Sequence, residues 1–203
     1  MKHTAKRRLI NRIRSKLSDK RGFSLGELLA ATVILLLASQ VMAQGIGFAT
    51  RMYNETLSRS HAKQLCSTLT NTIETELRYT TSISTTGMSA DGSSQLTAYF
   101  SPVYGQTLSG FLMVDSDDNE VTGAPGGEIA IRVTDRENQV VIQRLVSSAS
   151  YSSYELKAEV QNVTYNTAVN TFSATLKIND KNGNELVAST FNVIPVNKLK
   201  INE

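Results

Sequence analysis

Gly22-Phe23-Ser24-Leu25-Gly26-Glu27-Leu28-Leu29 is the stretch at which the chain changes character. Before it, nine Lys/Arg residues crowd the first 21 positions; after it, no charged residue occurs from Leu28 to Thr50. Glu27 is the lone carboxylate at the margin of the apolar run. A charge at the edge of a membrane segment is costly unless it is paired, so its position points to function.

The 23 uncharged residues from Leu28 to Thr50 span roughly 34 Å as a helix at ~1.5 Å per residue, enough for the hydrocarbon core of a bilayer. Their centre, with Leu28, Leu29, Val33, Ile34, Leu35, Leu36 and Leu37, is apolar all round. Gln40, Gln44, Gly45 and Gly47 weaken the far end, where glycine permits local bending or melting. Beyond Thr50 the pattern turns amphipathic. Leu57, Leu65, Leu69, Ile73 and Leu77 fall on one stripe by steps of four or eight, while Arg51, Glu55, Arg59, Lys63, Glu74 and Glu76 are assigned to other faces. The pattern predicts one helix from Leu25 to about Arg78, apolar and then amphipathic, whose stripe needs a partner surface.

After Tyr79 a Thr/Ser run with Gly87 and Gly92 breaks the helix, and period-two patterns take over. Strands are expected near Gln95–Phe100, Leu108–Val114, Glu128–Thr134, Gln139–Val146, Leu156–Asn166, Phe172–Asn179 and Glu185–Ile194. Between them lie turn signals at residues 115–119, Gly123 to Gly127, 135–138 and 180–184, the last containing Asn-Gly. Asn197–Glu203 reads as either loose or an edge strand. The resulting organisation is a basic leader at 1–22, a membrane or assembly segment at 23–50, an amphipathic helical segment at 51–79 and a β-rich head at 80–203.

The net charge of +3 conceals an asymmetry of +8 over residues 1–22 against −5 over the remainder. Basic charge confined to a leader argues against direct nucleic-acid binding. Placed immediately before an apolar segment, it signals retention on the cytoplasmic side of a membrane. In the leader, Leu9, Ile10, Ile13 and Leu17 have helical spacing, which fits an amphipathic helix on an anionic membrane face or a disordered leader. The single cysteine, Cys66, offers neither an intramolecular disulfide nor a metal-ligand spacing.

Gly22-Phe23-Ser24-Leu25-Gly26-Glu27-Leu28-Leu29 resembles the class III signal of type IV pilins and of the pseudopilins of type II secretion. The resemblance implies cleavage between Gly22 and Phe23 by a membrane-embedded prepilin peptidase, which also methylates the new amino terminus at Phe23. It leaves a mature chain of 181 residues and makes Glu27 the family's fifth-position glutamate. Cutting before the apolar stretch keeps the helix, which first holds the subunit in the bilayer and then packs subunit against subunit. In such a fibre the Glu27 carboxylate accepts a charge-assisted hydrogen bond from the Phe23 ammonium of a neighbour or of its own chain. The resemblance is specific over residues 21–40 and architectural beyond. Many family members carry a proline midway along the helix and a disulfide loop near the C-terminus, and neither is found here.

Other signals are weaker. Asp115, Asp117 and Asn119 alternate as in a calcium loop, but Glu120 stands where glycine is required and Gly126 where the bidentate glutamate belongs, so a solvated turn is favoured. His3 and His61 are far apart, and no serine stands in a Gly-x-Ser-x-Gly elbow. Cys66, between Leu65 and Leu69, reads as a packed helix residue. Tyr79, Tyr99, Tyr104, Tyr151, Tyr154 and Tyr165 would serve adhesion if gathered on one face.

The expected fold is α+β: a long N-terminal helix packed on a C-terminal antiparallel sheet domain, pilin-like. The expected function is structural rather than enzymatic, without a cofactor: a major or minor pilin, or a pseudopilin. Its partners would be other pilin subunits, the prepilin peptidase, an assembly platform with its ATPase, and the membrane. It would be a single-pass precursor of the inner or cytoplasmic membrane, then part of a surface or periplasmic filament. The alternative is a membrane-anchored binding module that never polymerises. A conventional secretory signal ending at Val41-Met42-Ala43 before Gln44, or an uncleaved anchor, remains open.

Overall fold

The computed structural model describes residues 24–135 and 137–202. The leader, Gly22 and Phe23 lie outside the described residues. One helix, α1 (Leu25–Tyr79), runs through both the apolar and the amphipathic stretch without interruption. The chain divides into two compact units, Met1–Tyr53 and Asn54–Glu203.

Among the described residues of the second unit ten strands follow, with one short helix among them. They are β1 (Ser82–Met88), β2 (Ser93–Ser101), β3 (Gln106–Leu108), β4 (Leu112–Val114), β5 (Glu128–Thr134) and β6 (Val140–Arg144). After α2 (Ala149–Ser152) come β7 (Lys157–Asn166), β8 (Thr171–Asn179), β9 (Glu185–Val193) and β10 (Lys200–Asn202). Among the described residues these make a seven-stranded sheet ordered β10-β1-β2-β7-β8-β9, with β3 also paired to β2, and a three-stranded sheet ordered β4-β5-β6.

The expected all-antiparallel sheet is corrected in one respect. β10 runs parallel to β1, with Ile83 opposite Ile201, so the larger sheet is mixed. Residues Leu108–Val114, expected as one strand, are two: Gly110 at φ 80° turns the chain, sending Leu108 to β2 and Leu112 to β5. Gly110 takes this left-handed conformation without the steric penalty of a side chain. Within the C-terminal segment that reads as loose or an edge strand, Lys200–Asn202 form the edge strand β10.

The core explains why α1 stays helical past its apolar half. Ala62, Leu65, Leu69, Ile73 and Leu77 are buried together with Ile83, Tyr99, Ile129, Ile131, Phe172, Leu176 and Ile178, which come from both sheets. Burying one large apolar side chain contributes about 1.5–3 kcal/mol, so this stripe outweighs helix propensity as the source of stability. Leu57, expected on the stripe, is only half-buried, and burial begins at Ala62. Phe172, Ala174, Leu176 and Ile178 alternate inward along β8, while Ser173 and Thr175 face the other way and hydrogen-bond Asn192 and Thr190 of β9.

Two attachments fix the ends of the sheets. Gly127 and Ala158 exchange both backbone hydrogen bonds, at 2.9 and 2.7 Å, tying the segment before β5 to β7. The last carbonyls of α1, which no helical N–H can reach, are taken up by a segment far along the chain. Val196 N–H donates to the Arg78 carbonyl, and the Asn197 amide donates to the carbonyls of Tyr79 and Thr80.

Three turns share one design. Asp115, Asp135 and Asp180 each accept the backbone N–H groups of the residues two and four further on, at 2.8 to 3.0 Å. The fourth residue of each, Asp118, Asn138 or Gly183, has positive φ. Short polar side chains and glycine tolerate that conformation best, which is why these turns were legible as Asp/Asn/Gly clusters.

Candidate functional site

The first turn of α1 carries the most specific sequence signal, and its geometry is a reciprocal cap. The Ser24 hydroxyl accepts the Glu27 N–H at 3.2 Å, and the Glu27 carboxylate accepts the Ser24 N–H at 3.0 Å. This is the capping box, in which two of the four orphan donors at a helix start are satisfied by side chains three residues apart. The same carboxylate sits at the positive end of the helix dipole. Gly22 and Phe23 lie outside the described residues, so the pairing expected between Phe23 and Glu27 is not described.

Beyond the cap, Leu28, Leu29, Val33, Ile34, Leu35, Leu36 and Leu37 are all exposed, as are Val41, Met42, Ile46 and Phe48. The helix is long and apolar enough to cross a membrane. Three hydroxyls within it are satisfied by the helix's own backbone. Thr32 donates its hydroxyl proton to the Leu29 carbonyl, Ser39 to Leu35 and Thr50 to Ile46, at 2.7 to 2.9 Å. No hydroxyl among these three needs water, the condition a lipid-embedded helix must meet. Gly45 and Gly47 are helical, and a Cβ at either would meet nothing within 4 Å.

Asp115, Asp117 and Asn119 are brought together on the turn after β4, but Asp115 is aimed inward at the loop. Its carboxylate accepts the N–H groups of Asp117 and Asn119 and the Asn119 side-chain amide, and these bonds hold its carboxyl below the usual range. A cation already stands against the turn. Arg144 reaches Asp118 at 2.7 Å and the carbonyls of Asp115 and Ser116 while holding Glu128 at 2.5 Å. Among the described residues no group of three or more His, Cys, Asp or Glu side chains is arranged to hold a metal ion.

His61 stacks on Tyr154 with ring centroids 4.2 Å apart. Cys66 is buried on the packed face of α1, and burial pushes its thiol up. Of the tyrosines considered for adhesion, Tyr99, Tyr151 and Tyr165 are core residues.

Glu76, expected on a face of α1 other than the apolar stripe, is 5% exposed, and its carboxylate accepts the Ser101 hydroxyl at 2.6 Å. The signal for it was present. Glu76 follows Leu69 by seven residues, close to two turns of a 3.6-residue helix, and so belongs to the buried stripe.

Within the described residues, then, the chain is an α+β protein whose N-terminal helix is apolar and fully exposed before it packs on a mixed sheet. Comparison with protein-family models, with curated proteins and with solved structures finds no match.

Proposed function

We propose that this chain is a type IV pilin-like subunit, a pilin or pseudopilin, cleaved between Gly22 and Phe23 and polymerised through α1. The observation that carries this reading is the join between the motif and the helix. Two residues after Phe23 in the sequence, at Leu25, begins a helix that continues, unbroken, from an exposed apolar half to a half buried under a sheet. A cut before such a helix leaves the membrane segment in the product, where the same apolar surface serves first lipid and then neighbouring helices. The precursor would sit in the inner membrane with its leader in the cytoplasm, and would depend on a prepilin peptidase, an assembly platform and an ATPase. The protein would act as a structural element and not as an enzyme.

The Ser24–Glu27 cap favours a second reading, a membrane-anchored module that does not polymerise, because it gives Glu27 a role within one chain. Two substitutions separate the readings. Glu27→Gln keeps an acceptor for the Ser24 N–H but removes the charge, whereas Glu27→Ala removes both. If Glu27 pairs with a neighbouring ammonium, both variants insert in the membrane normally and neither enters filaments. A parent protein that inserts in the membrane but never enters filaments, with both variants indistinguishable from it, would instead support the anchored module. Mass spectrometry of the membrane-extracted protein supplies the companion test: a methylated Phe23 at the amino terminus is expected, and Gln44 there would sink the proposal.

A further inference from the structure

A cleft of about 540 Å³ opens in the Asn54–Glu203 unit between α1, the turn after β2 and the end of β6. Its lining mixes acceptor oxygens with the amides of Asn71 and Gln143 and the Tyr104 phenol. Thr68, Thr72 and Thr75 line it from the helix, and each spends its hydroxyl proton on the backbone carbonyl four residues back, at 2.7 to 2.9 Å. What these hydroxyls have left to offer is lone pairs. Glu76 also lines the cleft, and the proton of its partner Ser101 is already directed at the carboxylate. No Lys, Arg or His among the described residues forms an ion pair with Glu76. Arg144 lines the opposite wall, but its guanidinium is turned to Glu128, Asp118 and the carbonyls of Asp115 and Ser116.

A carboxylate that is nine-tenths buried without a cation is unusual, because desolvation removes the water that would otherwise stabilise it. Nearby, the buried Tyr99 hydroxyl has no hydrogen-bond partner. Burial chiefly, and the Glu76 charge in addition, push up the phenols of both Tyr99 and Tyr104. The lining thus joins one buried carboxylate without a cation to the acceptor oxygens of three threonines.

We infer that this cleft binds an alkylammonium group, whose N–H donors meet the Glu76 carboxylate and the hydroxyl oxygens of Thr72 and Thr75. An ammonium supplies three donors and one positive charge, which match a carboxylate without a cation and the lone pairs of the threonine hydroxyls. The inference concerns the Asn54–Glu203 unit and holds whether or not the chain polymerises. A free amine and the lysine side chain of a polypeptide share this chemistry.

The test is titration of the full chain in detergent micelles, followed by NMR, with n-butylammonium, Nα-acetyl-lysine amide, butyrate and n-butanol as probes. Saturable shifts at Thr72, Thr75 and Gln143 are expected with at least one amine and not with butyrate or n-butanol. The amine that binds more tightly identifies the source, free or polypeptide-borne. Glu76→Gln, which retains an acceptor for Ser101, is expected to weaken amine binding at least tenfold. Thr72→Val, which deletes one wall oxygen without touching the carboxylate, is expected to weaken it by a smaller factor. Equal binding of n-butanol or butyrate, no saturable binding of either amine, or amine binding unchanged in both variants would overturn the inference.

Discussion

The Tyr151 hydroxyl accepts the backbone N–H of Ile129 at 3.0 Å, both groups being buried, and so joins the short helix α2 to the middle strand of the three-stranded sheet. Tyr151→Phe keeps the ring and deletes the acceptor. A buried N–H left without a partner costs about 1–3 kcal/mol, and denaturant unfolding of the full chain in detergent should show a loss of that size. The α1 helix signal in circular dichroism should be unchanged under native conditions.

Gly126 and Gly127 are positions where only glycine fits. Gly126 has φ 92°, and a Cβ there would run into the Ala158 carbonyl; a Cβ on Gly127 would run into the Val114 carbonyl. Gly126→Ala combines a left-handed backbone with overpacking and should destabilise the protein by at least ~2 kcal/mol. Gly87→Ala, at φ 67° but with open space around it, should cost only the backbone penalty of roughly 1–2 kcal/mol. The two melting temperatures, measured side by side, check the difference.

Arg144 holds Glu128, which is buried and also accepts the Ser148 hydroxyl at 2.7 Å. The Glu128 hydrogen bond is the main reason that the Arg144 guanidinium is pushed further above its ordinary range. Removing the cation leaves a buried carboxylate unpaired, so Arg144→Ala should cost on the order of 3 kcal/mol. The double variant Arg144→Met with Glu128→Gln should recover a substantial part of that loss in the same unfolding assay.

Acid should loosen the aspartate turns. Hydrogen bonds from the Asn184 side chain and backbone hold Asp180 below the usual carboxyl range, and those from the Asn119 backbone and side chain do the same for Asp115. A carboxyl lowered on folding adds stability that is fully present above its unfolded value of about 3.9 and is lost as pH falls through the lower folded value. Stability should therefore be flat in this respect near neutrality and decline below about pH 4. A protein carrying Asp115→Asn and Asp180→Asn should lose less over that acid range, as followed by urea midpoints at successive pH values.

The parts of this fold that the sequence makes legible are those set by local chemistry. The extent of α1 is written in an uncharged run followed by Leu65, Leu69, Ile73 and Leu77, and the aspartate turns in their own side chains. β1 is not legible: Ile83 is its one deeply buried side chain, and irregularities between Ser84 and Thr85 and between Thr86 and Met88 erase the alternation. The parallel partner of β1 is equally hidden, because Ile201 lies more than a hundred residues away and nothing local records the pairing. At the candidate site, the Ser24–Glu27 spacing is plain in the sequence. The cleft at Glu76 is not, because its walls come from three separate elements.

The segment around Val196 and Asn197 closes the carbonyl end of α1, and Lys200 donates its N–H to the Thr81 carbonyl just beyond. In chain order these residues follow β9, and without them the point where helix gives way to sheet has bare carbonyls and β1 lacks one neighbour. The segment thus acts as a clasp: a chain cut after Val193 keeps every other described strand yet loses the seal between helix and sheet.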